Sequence, residues 1–61
     1  MHTAQHGFFE EVRKSAGNAR YWLSQVQQGL RPHMHGKDNT TAFVAHYERQ
    51  LADCEAILAH A

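Results

Sequence analysis

The chain has almost none of the residues that small domains use as staples. It holds one cysteine, Cys54, and one proline, Pro32, and its six Lys and Arg are matched by six Asp and Glu. A single cysteine excludes an intrachain disulfide, and an unpaired thiol suits a cytoplasmic setting. Balanced charge removes the global attraction to nucleic acid or an anionic membrane that an extreme pI brings. No segment approaches the roughly 20 apolar residues of a membrane span, and the opening MHTAQHGFFEEV lacks the apolar run of a signal peptide. The expectation is a soluble, cytoplasmic protein with no membrane partner.

With 61 residues the chain is one domain at most, spanning 1–61, and chains this short bury a smaller share of their surface than average domains. They usually need reinforcement by disulfides, a structural metal or a partner chain. The first is excluded here, which leaves the other two.

What the chain does contain is a seven-residue pattern. Phe9, Val12, Ala16, Ala19, Leu23, Val26 and Leu30 alternate spacings of three and four, and Val44, Tyr47, Leu51, Cys54, Leu58 and Ala61 repeat the alternation. These are a and d positions of two amphipathic helices. Between them GLRPHMHGKDNTT, residues 29–41, carries a helix stop and a helix start. Gly29 suits a left-handed C-terminal residue, Pro32 blocks continuation, and Asp38, Asn39 or Thr40 can cap the second helix. At the other end Thr3 is the candidate N-cap, with Glu10 and Glu11 toward the positive end of the helix dipole. Gly17 interrupts helix propensity but not the heptad phase, so one helix with room for a bend is expected.

The predicted fold is therefore all-α, an antiparallel two-helix hairpin of residues about 4–29 and 39–60. Pairs whose numbers sum to 70 form its layers: Phe9 with Ala61, Val12 with Leu58, Ala16 with Cys54, Ala19 with Leu51, Leu23 with Tyr47, Val26 with Val44. Every layer is apolar. Flanking charges favour the same orientation, with Arg13 and Arg20 expected near Glu55 and Glu48, at about 0.2–1 kcal/mol for each exposed pair. Beside this seam Phe8, Trp22, Phe43 and Ile57 line up at g positions. Three apolar positions per heptad is the pattern of a four-helix bundle rather than of a two-stranded seam. Two hairpins are expected to dimerise through these four residues.

Chemistry is harder to find. His33 and His35 flank Met34, but the spacing supplies no third ligand, and His2, His6 and His60 fall at the opposite end of a hairpin, with His46 outward. No metal and no cofactor are expected. HYERQ lacks the second histidine of the zinc-protease helix, and Cys54 at a d position reads as a buried core thiol. Catalysis is not expected. The six histidines can make the chain cationic below about pH 6.

Two basic features remain as partner-binding candidates. Arg13, Lys14 and Arg20 lie along helix one with Tyr21 adjacent, and Arg31, His33, His35 and Lys37 decorate the loop, where they are the candidate for a pH-sensitive contact tip. In length and topology such a dimerising hairpin resembles the small plasmid-copy-number RNA-binding four-helix bundles, with no motif shared. Small alanines, Ala42, Ala45, Ala52, Ala56 and Ala59, face outward on helix two. The leading expectation is a non-catalytic protein-binding regulator or inhibitor acting as a homodimer. By analogy of size, the expectation extends to a bacterial or bacteriophage accessory protein that docks on a host protein. The alternative is a small RNA- or DNA-binding bundle using the basic face of helix one.

Overall fold

The computed structural model describes residues 4–60, with side chains from Gly7 onward. Thr3 and His2, and the side chain of His6, lie outside the described residues, as does Ala61. Helix α1 runs Ala4–Gln27 without interruption through Gly17, and α2 runs Thr40–Ala59. The two helices pack against each other as an antiparallel hairpin. Because α1 begins at Ala4, Glu10 and Glu11 lie beyond its first turn, where the dipole no longer favours them.

Helix α1 ends at Gln27, two residues before the expected boundary at 29 and three before the last heptad position, through backbone hydrogen bonds. The Leu30 amide donates to the Gln25 carbonyl at 2.9 Å and the Gly29 amide to Val26 at 3.0 Å. This pair of bonds, around Gly29 at φ 115°, is the Schellman arrangement, and it needs a residue without a Cβ. Leu30, counted in the heptad, thus falls outside the helix and is exposed. The Arg31 guanidinium folds back to donate to the Val26 and Leu30 carbonyls at 3.1 and 2.8 Å, placing a cation at the negative end of α1.

The connection contains structure that the helix punctuation did not announce. His33–Met34 (β1) pairs antiparallel with Lys37–Asp38 (β2), and the Asn39 amide donates to the Pro32 carbonyl at 2.7 Å just beyond them. The two residues at the turn, His35 and Gly36, both have positive φ, 53° and 78°. Positive φ at both centres is the signature of a type I′ turn, whose twist matches the strands it joins. The start of α2 is then capped from one residue upstream of its boundary. Asp38 Oδ1 accepts from the Thr40 amide at 2.8 Å, while Asn39 offers no side-chain cap.

The interior is thin. Among the described residues the buried side chains are Val12, Ala16, Ala19 and Cys54. Leu51 and Leu58 pack half-buried against Val12, Ala16 and Cys54, so the cluster is drawn from the predicted layers. Ala16 and Ala19 are 1% and 0% exposed. Two helices side by side make a rod of 48 × 20 × 17 Å with a radius of gyration of 14.3 Å. A compact domain of this length has a radius near 10.5 Å. The accessible surface, 4779 Å², likewise exceeds the roughly 4,000 Å² expected for a folded chain of this mass.

Two glycines on this frame have opposite requirements. Nothing lies within 4 Å of a Cβ built at Gly17, in mid-helix with ordinary φ, whereas Gly29 holds φ 115°. Gly17→Ala is expected to raise stability by up to about 1 kcal/mol and Gly29→Ala to lower it by about 1 kcal/mol or more. Paired thermal melts check both signs.

Candidate interaction face

Along one side of the hairpin the g positions of the two helices form a column with three levels. At the loop end, Trp22 of α1 and Phe43 of α2 pack edge-on, with ring centres 6.0 Å apart. In the middle, the Gln50 amide nitrogen crosses to donate to the Ser15 carbonyl at 2.9 Å. At the terminal end lie Phe8 and Ile57, 51% and 37% exposed. The face is apolar at both ends and polar at its centre.

The loop-end rung belongs to a larger aromatic chain. Tyr21 packs edge-on against Trp22 at 4.9 Å, Phe43 against Tyr47 at 4.9 Å, and Tyr47 against His46 at 4.7 Å. Asn18 Oδ1 accepts from the Trp22 indole at 3.2 Å and so fixes that ring. Aromatic contacts of this geometry contribute about 0.5–1.5 kcal/mol each beyond area burial. Trp22 and Phe43 therefore hold the two helices of one chain together as well as lining the face. Among the described residues the ring neighbour of Phe8 is Phe9, at 5.4 Å on the same helix. Of the four residues expected at a dimer interface, Phe8 and Ile57 are the more exposed pair and Trp22 and Phe43 the half-buried one.

Between the end rungs an open groove of about 320 Å³ runs along α2, lined by Ser15, His46, Arg49, Gln50, Asp53 and Ile57 and floored by Cys54. Cys54 is buried, as its d position predicts. Arg49 and Asp53 form an exposed pair across one turn at 3.9 Å. No residue here has the geometry of an activated nucleophile.

The basic stripe of α1 is already partly matched by acids. Lys14 lies 3.6 Å from Glu11, and Arg20 lies 3.5 Å from Glu55. Arg20 thus reaches Glu55, one heptad from the Glu48 expected. Helical side chains lean toward their own N-terminus, so in an antiparallel pair a flanking residue meets the partner that leans toward it. All of these groups are more than half exposed, and their contribution is small. Tyr21 is 54% exposed beside them.

At the loop tip the cationic side chains are held differently from one another. Arg31 is turned onto the end of α1, and His33 Nδ1 donates to the Arg31 carbonyl at 2.6 Å. His35 sits inside the type I′ turn, and Lys37 stands opposite Met34, which is 56% exposed. Among the described residues no group of three or more His, Cys, Asp or Glu is placed to hold a metal ion. Among them, too, no helix is long and apolar enough to cross a membrane.

Sequence reasoning identified the apolar column but not the rings and amides that organise it. Tyr47 and His46 extend the aromatic chain, and Ser15 and Gln50 form the central rung. The signal was present in part: antiparallel helices bring their g positions to one side, but Trp22 meets Phe43 and Ser15 meets Gln50 five residues away from the register of the predicted layers. No family model, curated protein or solved structure matches the chain.

The tip also carries an electrostatic perturbation. The neighbouring Thr40 hydroxyl and the Thr40 amide favour the ionised Asp38 carboxylate and hold it below the ordinary aspartate range, with smaller help from His33 and Arg31. Of the two Thr40 groups only the amide makes a well-formed bond, because Thr40 Oγ1 is buried without a partner. A depressed carboxylate contributes stability that is complete above its unfolded pKa of about 3.9 and lost as pH falls below it. The stability gap between wild type and Asp38→Ala is expected to close as pH drops from 6 toward 2.5, read by denaturant unfolding across that range.

Proposed function

We propose that the chain is a non-catalytic protein-binding module, a small regulator or inhibitor that works as a homodimeric four-helix bundle. The observation that carries the reading is the exposed apolar column beside a seam too thin to bury it. Phe8 at 51% and Ile57 at 37% lie on the same side as Trp22 and Phe43. A rod 48 Å long and 20 Å wide presents a face on the order of 1,000 Å², against the roughly 800 Å² per partner that a standard interface buries. Large aromatic side chains are the usual energetic anchors of such faces, and here they stand toward its two ends. In the bundle the surplus accessible surface of the single hairpin goes into the contact between protomers. The outward surfaces, including Tyr21, the basic stripe of α1 and the loop tip, remain for the target.

Phe8 is the informative position, because its side chain contributes little to the hairpin interior. Wild type is expected to sediment at micromolar concentration as two 7.0 kDa chains. Phe8→Glu is expected to sediment as one, with the helical circular dichroism of α1 and α2 retained. A wild-type protein that remains a stable monomer at these concentrations contradicts the reading.

A further inference from the structure

The charges along the rod are not evenly spread. In the terminal half, residues 4–16 and 51–60, Glu10, Glu11, Asp53 and Glu55 outnumber Arg13 and Lys14. In the loop half, residues 17–50, Arg20, Arg31, Lys37 and Arg49 outnumber Asp38 and Glu48. The neutral chain is therefore a rod with a basic loop end and an acidic terminal end. The apolar face has a matching asymmetry: the bulky Trp22–Phe43 rung stands at the basic end, the smaller Phe8–Ile57 rung at the acidic end, and Ser15–Gln50 between them.

We infer that a second copy covers this face in reversed orientation, each loop end lying over the partner's terminal end, about a two-fold axis that crosses the Ser15–Gln50 rung. The inference rests on the homodimer reading above and specifies its arrangement. Two-fold contacts are self-complementary, so each end of the face must fit what the axis brings to it. Reversal lays the basic half of each chain on the acidic half of the other. It also places one Trp, two Phe and one Ile in the layer at each end, which equalises the packing volumes. A dimer with both loops at the same end would stack basic on basic and acidic on acidic. It would also crowd two Trp22–Phe43 rungs into one layer while leaving two Phe8–Ile57 rungs in the other. At the axis, the polar central rung meets its own copy, and the Arg49 and Asp53 that flank Gln50 lie within reach of their opposites on the second chain.

The test measures the distance between the two loop tips. Lys37→Cys carries a nitroxide label under native conditions, with Cys54 buried and, in a second sample, replaced in Cys54→Ala. Electron–electron resonance is recorded alongside sedimentation of the same material. Reversed orientation predicts a tip-to-tip distance on the order of the 48 Å length of the hairpin. A dimer with a distance near 20 Å, about two helix diameters, overturns the arrangement but leaves the homodimer standing. A single-chain mass with no dipolar signal overturns both. Unlabelled wild type supplies an independent reading: its association is expected to weaken several-fold from low salt to half-molar sodium chloride, where charges more than a few ångströms apart are screened. An association that holds or tightens with salt contradicts the inference.

Discussion

The seam at Ala16 and Ala19 sets what the rest of the chain can do. Alanine at successive a and d positions is buried almost completely by the facing helix, at 1% and 0% exposure. The same small side chains fill little volume, and Val12 and Cys54 complete the buried set among the described residues. A two-helix layer has one inner stripe, so apolar residues outside that stripe have nowhere to go within the chain. Phe8, Ile57 and half of the Trp22–Phe43 pair are left at the surface for this geometric reason, not through any weakness of the hydrophobic pattern.

The loop end and the middle of the hairpin are tied by different chemistry. At the loop end the helices are joined by rings, from Tyr21 through Trp22 and Phe43 to Tyr47 and His46. The turn there is held by Gly29, the folded-back Arg31, the type I′ turn at His35 and Gly36, and the Asp38 cap. Toward the middle, the links are the hydrogen bond from the Gln50 side-chain amide to the Ser15 carbonyl and the exposed Arg20–Glu55 pair. Local backbone hydrogen bonding thus fixes the reversal, and the seam and aromatic rungs propagate it along the rod.

Much of this was legible from residue spacing. The heptads placed both helices to within two residues at each internal end, and the d position of Cys54 announced its burial. Gly29 announced the helix stop, because only glycine adopts φ 115° without strain. The small β-hairpin at 33–38 was missed because Pro32 and the Asp-Asn-Thr run dominate a reading that looks for helix ends. Its signal was the dipeptide His35-Gly36, since histidine is among the few side chains that tolerate positive φ. The displaced Arg20–Glu55 pair was missed because heptad letters carry no information on the lean of side chains along the axis. The interaction face was legible as a column of apolar residues. Its division into two apolar rungs about a polar one required the register of both helices at once.

The central claim is that the folded unit is larger than one hairpin, because one hairpin cannot cover its own apolar face. Concentration dependence of thermal unfolding tests this most directly. When folding is coupled to association, the midpoint rises with protein concentration by mass action, and for a monomer it does not. The account predicts a midpoint that climbs steadily from low micromolar to millimolar protein. A midpoint that stays fixed over that range, with full helical signal at its lowest concentration, contradicts it.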